Sequence, residues 1–254
     1  MAVVLAGRPN RGRLREVSDA EWEALIDVAG VPMAARVAWA LAEGMGGRGP
    51  LVVVGPSQLS RHLPERAVVV APKEGLLENL EEGLAHFARD DVVLVAAGDA
   101  ALLGGEHVEA FLKGVERLGE AELWYSIVPK GEVARRFPGM RRTFVRLREG
   151  VFTGGNLLAL SPRVFGRLKD VAERAVALRK SPIGLARLFG AGFLFRFLLG
   201  RVSLAEAEAT FARLFRIRGR AVVVPYAEVG IDVDKPSDYR WCTHHLAGRG
   251  DAHG

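Results

Sequence analysis

One cysteine, Cys242, is all that this chain of 254 residues contains. That excludes an intramolecular disulfide framework and a cysteine-rich zinc site, and it fits a reducing compartment. Long apolar runs are missing as well: no stretch approaches the roughly 18 uninterrupted apolar residues of a membrane span. The opening run, residues 1–7, has no basic segment before it and ends in glycine. It is therefore not expected to be a signal peptide, and a cytoplasmic protein is the expectation. The six histidines form no His-x-x-x-His pair, and His244-His245 reads as surface. There is no Gly-x-Ser-x-Gly elbow, no Walker-type Gly-Lys-Ser/Thr and no Gly-x-Gly-x-x-Gly after the first strand. No nucleic-acid-binding signature appears, so nucleic acid is not an expected partner.

What is present is ordinary globular material: 49% apolar and 26% charged residues, enough to bury a core without staples. Length alone allows one large domain or two small ones. The pattern favours a single domain over 1–246, with a glycine-rich tail, 247–254, that is expected to fray. Net charge is +5, mostly carried by arginine. That suits anionic partners, although a compositional bias towards arginine reads the same way.

Short apolar runs at 2–6, 51–54, 67–71, 91–96 and 123–128 read as buried strands. Helical spacing marks 32–43, 76–88 and 106–118, and Ser18 with Glu21 forms a capping box that predicts a helix there. Such alternation predicts an α/β protein, a three-layer α/β/α sandwich with a mostly parallel central sheet. Beyond 129 the pattern changes. Residues 129–150 read as loop plus a strand at 143–147, 162–178 as helix and 221–224 as a last strand. Residues 179–220 hold nine basic and two acidic side chains, a net of +7 that leaves −2 for the rest. They read as a basic, mainly helical insertion beside the active-site cleft. Ser203 and Glu206 would cap its second helix, with Leu204, Ala207, Phe211 and Leu214 on one face. Its apolar middle, 193–199, has to be covered by the domain, by a second copy in a homodimer or, least favoured, by a membrane surface.

Four segments can carry chemistry. Leu5-Ala6-Gly7-Arg8-Pro9-Asn10-Arg11 leaves the first strand as a basic, glycine-bearing loop. Backbone N–H groups and arginine forks there can wrap phosphate, or Gly7 can simply serve a turn. Asp99 follows the strand at 91–96, at the ligand-binding edge of a parallel sheet, unless it caps a helix. Asp232 and Asp234 point the same way if their loop is extended, and a hard cation such as Mg²⁺ would relieve their repulsion. One of them could instead cap the following helix. Thr153-Gly154-Gly155-Asn156 allows close backbone approach and offers an amide, or it marks a β-bulge.

Taken in order, these pieces resemble the MobA-like nucleotidyltransferase family, which has the GT-A type nucleotide-diphospho-sugar transferase fold. Leu5-Ala6-Gly7 matches the family's opening loop. Ala24-Leu25-Ile26 with Gly30-Val31-Pro32-Met33 matches the segment before the next helix. Asp99 matches the strand-end aspartate, Gly154-Gly155-Asn156 the Gly-Gly-Asn element, and Asp232 through Asp238 the closing Asp-x-Asp-x-Pro-x-Asp. The resemblance covers about residues 2–178 and 221–240. It implies transfer of a nucleotidyl group from an NTP to a small phosphorylated or phosphate-like acceptor, with release of pyrophosphate. It also implies nucleotide binding by the first loop (Leu5, Ala6, Gly7, Arg8, Asn10, Arg11) and acceptor contacts from Thr153, Gly154, Gly155 and Asn156. Asp99 and Asp234, with Asp232 as a third, would hold Mg²⁺. Two positions depart from the family pattern. Arg8 replaces the loop's second glycine, and Glu23 stands where a lysine precedes Ala-Leu. Arg11, Arg13 or Arg15 could supply the missing positive charge, and Arg13 is taken with Asp99 and Asp234 as a catalytic candidate. Two rivals remain: a non-catalytic nucleotide or sugar-nucleotide binding module on the same fold, and a membrane-surface protein using the basic insertion.

Overall fold

Short, mostly valine-rich runs and one longer glycine-bearing strand pair into an eight-stranded sheet. The computed structural model describes residues 1–170 and 188–250. Its strands are β1 (Ala2–Leu5), a small separate hairpin of β2 (Asp27–Val28) and β3 (Val31–Pro32), β4 (Leu51–Val54), β5 (Ala67–Val70), β6 (Val93–Ala97), β7 (Leu123–Pro129), β8 (Val145–Leu147), β9 (Gly150–Leu160) and β10 (Gly219–Val223). The order is β10-β7-β9-β6-β1-β4-β5, with β8 on β9. Pairings among β5, β4, β1 and β6 are parallel, as is β10 with β7. Strand β9 runs against its neighbours β6, β7 and β8.

Helices cover both faces. They are α1 (Met33–Gly44), α2 (Leu76–Leu84), α3 (Gly105–Leu118), α4 (Lys130–Arg136), α5 (Ala191–Leu198), α6 (Leu204–Phe215) and α7 (Pro236–Gly250). The period of two along each strand divides the apolar side chains between two cores. Ala2, Val4, Val53, Leu94 and Ala96 join the core under α1, α3 and α7. Val3, Val52, Val54, Val93 and Val95 join the one with Leu80 and Leu84 of α2 and Phe211 and Phe215 of α6. The predicted α/β/α sandwich is the observed architecture.

Several local expectations are corrected. No helix starts at Ser18: its hydroxyl accepts from Ala20 N, and the Asn10 amide takes the Ser18 and Ala20 carbonyls. With Asn10 N also donating to Glu21 O, those carbonyls are not free for a helical ladder. The stretch after 129, expected as loop, opens with α4, entered at Pro129. His245 is not a free surface group, since its ring lies 5.2 Å from Phe137. Helix α7 continues past Ala247 to Gly250. The 162–178 helix and the first part of the insertion extend into 171–187, outside the described residues.

The described part of the insertion is helical, and Ser203 caps α6 with the reciprocal Glu206 bond. It does not line the cleft. Phe193 and Phe197 of α5 pack with Ile127, Leu147, Phe152 and Val202, over β7, β8 and β9. Burial of 193–199 is partial, because Phe195 and Leu198 remain 64% and 83% exposed. Arg196 pairs with Glu206 and Arg220 with Glu208, so these arginines answer the insertion's own acids.

Candidate active site

Parallel strands deliver their C-terminal ends to one edge, and here β1 and β6 are neighbours. Gly98 N donates to Leu5 O at 2.9 Å. A Cβ on Gly98 would lie 2.7 Å from that oxygen, so only glycine lets the end of β6 run this close to β1. Asp99 is thereby set beside the exit of β1. The closing loop is tied to the same place: Val233 N donates to Asp99 O at 3.0 Å, and Asn156 Nδ2 donates to Ile231 O at 3.1 Å. Asp99 and the pair Asp232 and Asp234, more than 130 residues further along the chain, thus share one edge.

Two adjoining chambers open there. The first, about 530 Å³, is floored by Leu5, Ala6 and Gly7 and walled by Glu23, Glu74–Leu76, Asn79, Gly98, Asp99 and Asn156. The second, about 710 Å³, is lined by Arg13, Arg141, Arg142, Thr143, Thr153, Gly154, Asp234, Lys235 and Asp238. Arg8 and Asp232 line both and form the partition. Both volumes suit small ligands.

The acids at the partition differ in their surroundings. Asp99 keeps part of its surface open, but its Oδ1 is buried without a hydrogen-bond partner. Burial, with the charges of Asp232 and Asp234 added, pushes its carboxyl up to about 7. It caps no helix: the residue before α3 is Gly104. Asp232 pairs with Arg142. Asp234 pairs with Arg8 at 3.0 Å, and Arg8 Nε also lies 3.3 Å from Glu23 Oε2. Burial raises the Glu23 carboxyl, and the Arg8 charge opposes that rise. The two positions that depart from the family pattern are therefore partners: the glutamate that could have repelled phosphate is answered by the arginine that replaced glycine.

Most of the sequence-predicted residues meet here. Leu5, Ala6, Gly7, Arg8, Asp99, Asp232 and Asn156 line the first chamber. Arg13, Thr153, Gly154 and Asp234 line the second. Asn10 lines neither; it is 3% exposed and latches the loop through Ser18 and Ala20. Arg11 faces an adjacent groove with Trp22 and Lys73. Gly155 lies against β7, where a Cβ would come within 2.3 Å of Ser126 Oγ, and the register of β7 and β9 shifts at this point. The bulge alternative holds for that glycine. Sequence reasoning missed Asn79, Arg141, Arg142 and Lys235. The Arg141-Arg142 pair was visible as charge, but no spacing tied it to Asp232.

Mg²⁺ calls for hard oxygen donors. Among the described residues no group of three or more acidic, histidine or cysteine side chains forms a ready metal cage. Mg²⁺, however, usually takes only one or two carboxylates and completes its shell with water and substrate phosphate. Asp99, with its unpartnered buried oxygen, and the neighbouring last-loop aspartates are hard donors of that kind. They fit an ion that arrives with phosphate.

A family profile described as "MobA-like NTP transferase domain" matches residues 2–180. The chain belongs to that family. This MobA-like protein is accordingly an enzyme of the nucleotidyltransferase class. It is 44% identical to a "hypothetical transferase" from Thermus thermophilus, with a TM-score of 0.81 over 94% of this chain and 98% of that one. It shares its fold with a CMP:2-keto-3-deoxy-manno-octonic acid synthetase complexed with CTP, at 14% identity, a TM-score of 0.60 and 98% of each chain. A nucleotidyl transferase from Methanothermobacter thermautotrophicus is similar in fold at 15% identity and a TM-score of 0.58, over 98% of this chain and 97% of that one. No curated protein matches the sequence.

Proposed function

We propose that the protein is a Mg²⁺-dependent nucleotidyltransferase that moves NMP from an NTP to a small phosphorylated or phosphate-like acceptor and releases pyrophosphate. The observation that carries this is the unpartnered, buried Asp99 oxygen in the wall of an apolar chamber that shares Arg8 and Asp232 with a basic one. The chamber over Leu5–Gly7 takes the nucleoside end, and close backbone approach at Gly7 serves the phosphates. A Cβ there would strike Pro72 at 2.6 Å, so the position is already crowded. Arg13, Arg141, Arg142 and Lys235 give the second chamber the charge to hold a phosphorylated acceptor.

An acceptor oxygen forms the new bond to the α-phosphorus as the α–β bridging bond breaks, and the electron pair leaves with pyrophosphate. Positioning and charge neutralisation carry such a transfer. Bound Mg²⁺ supplies Lewis-acid neutralisation of the phosphate oxygens. Asp99 and Asp234 would hold it, with Asp232 in support, and Arg13 lies where charge on the transferring group is offset. No helix among the described residues is long and apolar enough to cross a membrane. A cytoplasmic enzyme with small-molecule substrates completes the reading, with neither lipid nor a homodimer required.

Thermal-shift titration with each NTP and Mg²⁺, followed by pyrophosphate assay against phosphorylated sugars, tests it. At least one NTP should raise Tm in a Mg²⁺-dependent manner, because a ligand of the folded state stabilises it. Asp99→Asn and Asp234→Asn should abolish that rise while leaving the ligand-free circular dichroism unchanged. Absence of any NTP-dependent shift in the wild type would overturn the proposal. Binding without pyrophosphate release would favour the non-catalytic module.

A further inference from the structure

Among the described residues, Arg8 is the one cation that lines both chambers. Its two acidic partners are not equivalent. Glu23 belongs to the same rigid tongue as Arg8: Glu23 N donates to Arg8 O at 3.0 Å, Asn10 N donates to Glu21 O at 2.8 Å, and Pro9 bridges to Trp22. The Glu23 side chain is only 6% exposed, and its Oε2 is buried with no hydrogen-bond partner. A carboxylate held so dry is costly to leave without its arginine, which holds that end of the pair. Asp234 comes from the closing loop on the other side of the cleft, and its side chain is 51% exposed. An exposed pair of that kind contributes at most about 1 kcal/mol and is readily exchanged. Arg8 is therefore anchored at one end and loosely tied at the other.

We propose that Arg8 is an exchangeable counter-ion. In the ligand-free site it neutralises Asp234. When nucleotide enters, its guanidinium transfers to the polyphosphate, guided by Glu23, and Asp234 is released to the cation. This rests on the nucleotidyltransferase reading and adds to it the exchange of Arg8 between Asp234 and phosphate. A fixed structural bridge and an exchangeable one make opposite predictions. Loss of a structural bridge weakens every ligand of the site. Loss of an exchangeable one frees Asp234, so a cation alone binds better while polyphosphate binds worse.

The test is isothermal titration of Mg²⁺ alone, and of each of the four NTPs with Mg²⁺, into the wild type, Arg8→Ala, Glu23→Gln and the double variant. Arg8→Ala should lower the Kd for Mg²⁺ alone by about 2- to 5-fold, the value of a released exposed pair. It should raise the Kd of whichever NTP the wild type binds by about 10- to 100-fold, the loss of a charge-assisted bond to phosphate. Glu23→Gln should weaken NTP binding less than Arg8→Ala, and should have no further effect in the Arg8→Ala background. Weaker binding of both ligands in Arg8→Ala, or no change in either, would overturn the proposal and leave the functional reading standing. A wild type that binds none of the four NTPs would overturn both.

Discussion

At the scale of single residues, the site is a set of charges whose values depend on neighbours distant in sequence. Asp99 shows the consequence for stability. Its carboxyl is raised in the fold from the ordinary 3.8 to about 7. Folding therefore favours the protonated form, and stability falls as pH rises from about 4 through 7, then stays level. For a group still partly open to the chamber the penalty above pH 7 is roughly 2–4 kcal/mol. Asp99→Asn should accordingly raise the urea-unfolding free energy of the metal-free protein at pH 8 by up to that amount and change it little at pH 4.5. A variant less stable than wild type at pH 8 would show instead that the carboxylate is a satisfied structural group. The same neighbourhood explains why Asn10, assigned to the nucleotide from its loop, latches that loop instead: whether an amide meets phosphate or Ser18 depends on where residues 18–21 return.

Elements in this fold meet by close approach at glycines. Helices α1 and α3 cross beside Gly44, where a Cβ would fall 2.5 Å from Val108 Cβ and 2.7 Å from Gly105 O. Gly44→Ala gains up to about 1 kcal/mol of helix propensity but overpacks the contact at a cost of about 1–3 kcal/mol. We expect a net loss near 1–2 kcal/mol, seen as a lower urea midpoint at unchanged slope. A higher midpoint would mean that the crossing is loose. The helices of the insertion show the opposite dependence. Local signals, the capping box at Ser203 above all, announce that a helix forms, yet not what it covers. Phe193 and Phe197 settled on β7, β8 and β9, and no described insertion residue lines either chamber.

For the whole molecule, the lone cysteine reports on integrity. Cys242 of α7 is fully buried in the larger core, and burial, with the charges of Asp238 and Asp232, pushes its thiol up to about 12. The thiolate is the reactive form, so the native protein should resist a disulfide reagent at pH 8. Labelling should begin only at urea concentrations that unfold the domain, coincident with loss of circular dichroism. Rapid labelling without denaturant would show α7 lifting off independently of the rest, and with it the loop that carries Asp232 and Asp234.

The alternation of short valine-rich runs with helical spacing was enough to determine the α/β sandwich, because both periodicities are local and each strand must bury two faces. The order of Leu5-Ala6-Gly7, Asp99, Gly154-Gly155-Asn156 and Asp232 through Asp238 was enough to point to the family. Helix α4 and the missing helix at Ser18 escaped, since a tertiary latch and a Pro129 entry override local pattern. Only the tertiary structure decided that Arg8 answers Glu23 and Asp234, that Arg142 answers Asp232, and that Gly155 serves packing. Ion pairs have no periodicity along a chain. They are set by which strand ends a sheet brings to one edge, and that order, β9 beside β6 and β6 beside β1, is written in no single segment.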